Sequence, residues 1–155
     1  MGKIIKKAQQ YNSTTTEKLS NMKQDHRRQA VVAIIEKSNK FLFVKRSDYI
    51  ETAKGYWCPV SGGIEGDETQ EQALKREVME EVGLNVETVK KICTIPSHDN
   101  RSLLHFWTTK IISGKARVNS NEATAIKWVT LREMKQLNPV FEADIQVFET
   151  LSKQR

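Results

Sequence analysis

Apolar residues cluster into short runs on either side of one amphipathic stretch. AVVAIIE (Ala30 to Glu36) and FLFVKRS (Phe41 to Ser47) are rich in β-forming residues, and the polar turn Lys37-Ser38-Asn39-Lys40 between them predicts a hairpin. A polar loop over 48–55 leads into YWCPV, a short strand that Pro59 keeps out of a central sheet position. VETVKKICTIP and SLLHFWTTKII read as two more strands, and the segment from Asn119 to Val129, ending in IKWV, as a fifth principal one. LREMKQL and FEADIQVFETL carry apolar residues at helical spacing. Strands, a helix, more strands and a terminal helix make an α/β chain, with helices packed against a mixed sheet.

The amphipathic stretch is GGIEGDETQEQALKREVMEEVGL, Gly62 to Leu84. Asp67-Glu68-Thr69-Gln70 has the form of a capping box, and Gly83 suits the position just past a helix end, so a helix is expected over about 69–82. Stepping 100° per residue from Glu77 puts Leu74, Val78 and Val82 at about 60°, 100° and 140°, an apolar stripe for the core. Glu77, Glu80 and Glu81 fall within about 60° of zero around Ala73, a second and acidic stripe.

That stripe is unfavourable in isolation. Like charges at i,i+4 repel, and carboxylates in the last turn oppose the helix dipole. Arg76 supplies one compensating charge against three. Either the face is simply solvated, as charge runs usually are, or it holds a divalent cation such as Mg²⁺ or Mn²⁺, which clustered carboxylates bind while leaving room for substrate phosphates.

Length and composition narrow the setting. The chain has 155 residues, 38% hydrophobic and 28% charged, which fits one soluble domain with its own core. No run is long enough to span a bilayer, and MGKIIKKAQQ lacks the apolar region of a secretory signal. Lys6 stands where a myristoylation motif wants Ser or Thr. Cys58 and Cys93 are the only cysteines and have no CxxC spacing, so a reducing cytoplasm is the expected compartment. With 25 basic and 19 acidic residues the net charge is +6, which favours anionic partners. Residues 1–28 are polar and basic, with Thr14-Thr15-Thr16 set to cap a short helix near Glu17. They read as an N-terminal extension to a domain over 29–155.

Gly62, five residues, Glu68, seven residues, then Arg76-Glu77-Val78-x-Glu80-Glu81-x-Gly83-Leu84 resembles the Nudix box at all nine of its defined positions. The resemblance implies a Nudix-type α/β/α sandwich with a mixed β-sheet over the domain. It also implies Mg²⁺-dependent hydrolysis of a nucleoside diphosphate linked to another group. Glu77, Glu80 and Glu81 would then be metal ligands, Arg76 would brace Glu68 and the helix, and Gly62 and Gly83 would be structural. The backbone carbonyl of Ser61 is a further ligand by this analogy, although the chain has Val60-Ser61-Gly62 where many members have Pro-Gly-Gly. Glu122, beyond the box in NEATAIKWV, is the candidate for an additional metal-binding glutamate, the alternative being an exposed loop carboxylate. The general base is Glu77 or Glu122, with Glu77 the first choice.

Outside the box, Arg46 at a strand end is a candidate for a substrate phosphate, and Trp57 beside the box for stacking on a base. For each the competing reading is plain: a solvated strand end and a core aromatic. His98, His105 and Cys58 are read as structural. The proline or tyrosine that marks some ADP-ribose and dinucleoside polyphosphate enzymes is absent, with Asp99, Asn100 and Arg101 in that window. The short chain resembles the compact triphosphate pyrophosphohydrolases most, so a nucleoside triphosphate is the first choice of substrate. Nucleotide sugars, ADP-ribose, dinucleoside polyphosphates and a non-catalytic nucleotide- or RNA-binding role stay open, as does a homodimer.

Overall fold

The structure, a computed structural model, describes residues 25–155. The helix expected near Glu17 lies outside the described residues. Eight strands and three helices follow in the order β1 (Arg28–Ile34), β2 (Glu36–Lys37), β3 (Lys40–Arg46), β4 (Trp57–Cys58), β5 (Val60–Gly63), α1 (Gln70–Val82), β6 (Asn85–Pro96), β7 (Ser102–Ser113), β8 (Ala123–Val129), α2 (Leu131–Met134) and α3 (Glu142–Lys153).

The strands form two sheets. One is mixed, in the order β5-β1-β7-β6, with β1 and β7 parallel and the other pairs antiparallel. The other is antiparallel, with β3 flanked by β2, β4 and β8. Side chains of β1 alternate between two cores: Val31 and Ala33 face the cluster under α1, whereas Val32 and Ile34 face the cluster under α3. Leu42 and Val44 of β3 join the first cluster, Phe41 and Phe43 the second. Both faces of these strands are covered, which is why AVVAII and FLFV are continuous apolar runs. The α/β/α layering expected from the sequence is therefore present, with the mixed sheet accompanied by a second, antiparallel one.

Two local expectations are corrected. AVVAIIE and FLFVKRS do not pair along their length. Only Glu36–Phe41 and Lys37–Lys40 form the hairpin, turned by Ser38 and Asn39 at positive φ (51° and 61°), while β1 belongs to the other sheet. The apolar pattern is the same for both pairings when each strand is buried on both faces, so it does not distinguish them. The capping box also sits two residues later than expected. Thr69 is the N-cap, its hydroxyl accepting from the Gln72 amide at 3.1 Å while the Gln72 side chain accepts from the Thr69 amide at 3.0 Å. Asp67 and Glu68 remain in the preceding loop, where Glu68 is free to be held from the side by Arg76.

Pro59 separates β4 from β5 and marks where the chain passes from one sheet to the other. The sheets part at that point, and a cavity of about 810 Å³ opens over Ala30, Val32, Cys58 and Ser61. No helix among the described residues is long and apolar enough to cross a membrane.

The core beneath α3 rests on Phe148, which meets Phe41 edge-on at 4.9 Å and Phe43 at 5.4 Å. Phe148→Ala should cost about 3–5 kcal/mol, read as a lower urea midpoint with an unchanged slope. A loss below about 1 kcal/mol would show that this aromatic cluster does not anchor the helix.

Candidate active site

One face of α1 supplies most of the charge in the cavity. Leu74, Val78 and Val82 are fully buried, as their stripe requires, and this sets the rotation that turns Glu77 and Glu81 inward at 9% and 7% exposure. Glu80 points outward and is largely exposed. Gly83 ends the helix in the left-handed conformation (φ 71°), its amide donating to the Met79 carbonyl at 3.1 Å, and the last turn contains no basic residue.

Arg76 joins the loop to the helix. Its Nε and Nη2 grip the two Glu68 oxygens at 2.6 and 2.9 Å, and Nη2 also donates to the Gly63 carbonyl at 3.0 Å. Nη1 donates to Glu77 Oε1 at 2.7 Å and to Glu80 Oε2 at 3.3 Å. Glu68 accepts in turn from the Glu65 amide at 3.0 Å. Arg76 and then that amide hold the Glu68 carboxyl down to about 2, well below the usual carboxylate range. Gly62 leaves the space Glu77 needs: a Cβ there would collide with the Glu77 carboxyl carbon and both its oxygens.

Glu81 is different, because Arg76 does not reach it. Its Oε2 is buried with no hydrogen-bond partner among the described residues. Burial first, then the neighbouring charges of Glu77 and Glu122, push its carboxyl up to about 8 against the opposing pull of Arg46 and the Ser61 amide. Burial also raises Glu77, with Arg76 acting the other way.

The remaining residues expected at the site divide. Ser61, Arg46 and Glu122 all line the cavity with Glu77, Glu80 and Glu81. Arg46 is tethered by Nε to the Thr52 carbonyl at 3.1 Å. Glu122 is exposed, with its backbone carbonyl accepting from the Ser47 amide at 2.8 Å. Trp57 is corrected. It is 8% exposed in the core under α3, its ring lies under Lys127 Nζ at 5.2 Å, and it is not part of the cavity wall, so no free face remains for a base. Its backbone pairing with β3 next to Cys58 turns the ring away from the cavity that Cys58 lines. Cys58 is a buried thiol pushed up to about 12 by burial. His105 is a satisfied core histidine between Thr94 Oγ1 (2.9 Å) and Gln29 Oε1 (2.6 Å). Sequence reasoning did not single out Phe141 and Asp144, which line the cavity from the start of α3. Asp144 had a readable signal, an acid at i–4 and i–7 from Phe148 and Leu151 in an otherwise apolar stripe.

The donors offered at the α1 end are all oxygens, one of them a buried orphan, which suits a hard divalent cation. Among the described residues no three acidic, histidine or cysteine side chains already converge on a single point. The reason is visible in the hydrogen bonds, since Arg76 engages Glu77 and Glu80 together. The fit is therefore one of donor chemistry and burial, with Glu80 held by Arg76.

An α/β/α sandwich with a carboxylate helix braced by an arginine at the parting of two sheets defines a phosphoanhydride-hydrolase class of site. The NUDIX domain family model matches residues 25–151, and the chain belongs to that family and is a Nudix-type hydrolase. It is 29% identical over 121 residues to the CTP pyrophosphohydrolase of Escherichia coli (strain K12), covering 78% of this chain and 88% of that one. It is also 29% identical over 101 residues to a putative 8-oxo-dGTP diphosphatase of Bacillus subtilis (strain 168), covering 65% of this chain and 64% of that one. The MutT protein structure from Methanosarcina mazei Go1 shares the fold at a TM-score of 0.74, with 19% identity over 84% of this chain and 96% of that one.

The Glu68–Arg76 clamp carries a pH signature. Glu68 is depressed from 4.5 to about 2, so its contribution is full above pH 4.5 and is lost as pH falls through about 2. The stability gap between wild type and Glu68→Gln should accordingly be constant above pH 4.5 and shrink as pH approaches 2 in chemical denaturation. A gap independent of pH would mean that the pair acts by packing alone.

Proposed function

We propose that the protein is a Mg²⁺-dependent nucleoside triphosphate pyrophosphohydrolase, Mn²⁺ being an alternative cofactor. The observation that carries this reading is the buried, unpartnered oxygen of Glu81 inside a cavity that also presents Arg46 and the other box carboxylates. Triphosphate substrates are favoured by the activities for which the two relatives above are named. Glu77, Glu80, Glu81, the carbonyl of Ser61 and Glu122 are the groups to hold the cation. When bound, a divalent ion there neutralises bridging phosphates and lowers the pKa of an attacking water.

The chain's own residues do the rest. Arg76 fixes the Glu77 carboxylate, and Glu77 is the group assigned to take the proton of the water. Glu122, on an exposed loop, completes the ligand set without being rigidly held. Arg46, anchored on Thr52, presents its guanidinium for a phosphate oxygen. The site is cytoplasmic in this reading, and neither a homodimer nor a nucleic-acid partner is needed for the chemistry.

Purified protein with Mg²⁺ should release pyrophosphate and a nucleoside monophosphate from triphosphates, faster than it cleaves nucleotide sugars, dinucleoside polyphosphates or capped RNA. Glu81→Gln should lower kcat by about 100-fold or more, corresponding to about 3 kcal/mol, while the thermal midpoint is kept, because an amide of the same shape replaces a carboxyl that lacks a partner. Undiminished Mg²⁺-dependent turnover in that variant, or no triphosphate turnover by wild type, would remove this assignment.

A further inference from the structure

The chain between β7 and β8, residues 114–122, belongs to no strand or helix, yet it is tied to two elements of the site. At one end it meets the last turn of α1, where helical carbonyls have no partner further along the helix. The Arg117 amide donates to the Val82 carbonyl at 3.0 Å and the Asn119 amide to the Glu81 carbonyl at 2.9 Å. The Asn119 side chain adds a bond from Nδ2 to the Met79 carbonyl at 3.1 Å. Arg117 also lays its guanidinium against Gly83, where a Cβ would come within 2.8 Å of Nη1. It thereby brings to this helix end the positive charge that the last turn lacks.

At the other end the segment is fastened to the residue just past β3. Ser47, 6% exposed, donates from its amide to the Glu122 carbonyl at 2.8 Å and from Oγ to the Asn121 carbonyl at 2.6 Å. The same Oγ accepts from the Tyr49 amide at 3.3 Å, and Ser120 Oγ accepts from the Glu122 amide at 3.3 Å. Glu122 is thus an exposed residue on a pinned backbone, and it lines the cavity with Glu80 and Glu81. Ser47 and Asn119 are not in the cavity wall themselves.

Resting on the reading of Glu122 as a metal ligand above, we propose that Ser47 and Asn119 are positioning residues for the cation site. They sling residues 114–122 as a strap between the end of β3 and the end of α1, and so set Glu122 against Glu80 and Glu81. Ligands drawn from separate elements hold one cation only when those elements are fixed relative to each other. Partners standing behind the ligands commonly account for ~10–100-fold in metal affinity. The strap has no ladder of its own, so these side contacts are what fix it.

Calorimetric titration of Mn²⁺ into full-length protein without nucleotide reads the ligand set without turnover. Glu122→Gln should weaken the ion by ~10-fold or more, and Ser47→Ala and Asn119→Ala by ~10-fold each, with the far-UV circular dichroism kept. Ser47→Thr retains the hydroxyl and should stay within ~3-fold of wild type. Combined with Glu122→Gln, either alanine change should add less than ~3-fold, because the carboxylate it positions is gone. In turnover, the Mg²⁺ concentration for half-maximal rate should rise while kcat at saturating Mg²⁺ changes less than ~3-fold. Asn119 is exposed, so Asn119→Ala carries the same test should Ser47→Ala fail to fold. Wild-type Mn²⁺ binding in either alanine variant while Glu122→Gln is weakened, or fully additive losses, would overturn the strap and leave Glu122 a ligand. No Mn²⁺ binding by wild type, or wild-type binding in Glu122→Gln, would remove the ligand reading and this proposal with it.

Discussion

The Arg76 guanidinium holds four groups of the box at once: both Glu68 oxygens, the Gly63 carbonyl, Glu77 and Glu80. Every other feature of the acidic end depends on this bracket. Loop 65–69 has no sheet or helix ladder of its own to fix it, and the planar fork ties it to the helix at an angle that a lysine's point charge would not define. The same contact offsets the repulsion that Glu77 and Glu80 would exert on each other at the unfavourable end of the helix dipole. One guanidinium cannot do this three times, and Glu81 is the carboxylate left over.

The cavity exists because the sheets are not allowed to stay together. The step from β1 into the short β2 hairpin, and Pro59 between β4 and β5, each carry the chain from one sheet to the other. α1 and α3 cover opposite faces, so both cores are filled and the parting between the sheets is where space remains. Gly62 keeps that space open next to Glu77. Packing on both sides thus creates the site as a by-product of topology, and the box supplies charge to a hole the strands have already made.

Much of the acidic end was legible because helical geometry converts spacing directly into a face. Leu74, Val78 and Val82 had to point inward, and that fixed where Glu77, Glu80 and Glu81 could go. What was illegible depended on contacts distant in sequence. The hairpin reading failed because an apolar run covered on both faces does not encode which strand it pairs with. The capping box admitted two registers two residues apart, and only the demand of Arg76 on Glu68 separates them. Trp57 was ambiguous for a similar reason, since an aromatic beside a motif packs equally well into a cavity or a core until the direction of its strand is known. Asp144 broke the apolar stripe of FEADIQVFETL, yet a lone acid in a helix carries no sign of the cavity it faces until α3 is docked.

Charge in the cavity runs against charge on the molecule. The chain as a whole is +6, which draws a polyanion in, whereas Glu65, Glu77, Glu80, Glu81 and Glu122 line the cavity and would repel it. Long-range attraction brings a nucleotide near, but it does not select a binding pose. Pose requires local cations, and Arg46 at the cavity wall, with Arg28 lying over the Cβ-free face of Gly63, are the side chains available for it. Arg76 is not free for that task, being committed to Glu68 and Glu77. A polyanion therefore settles beside these glutamates only if their charge is matched within the site itself. This is the same imbalance that the helix shows when considered alone, now set against a substrate.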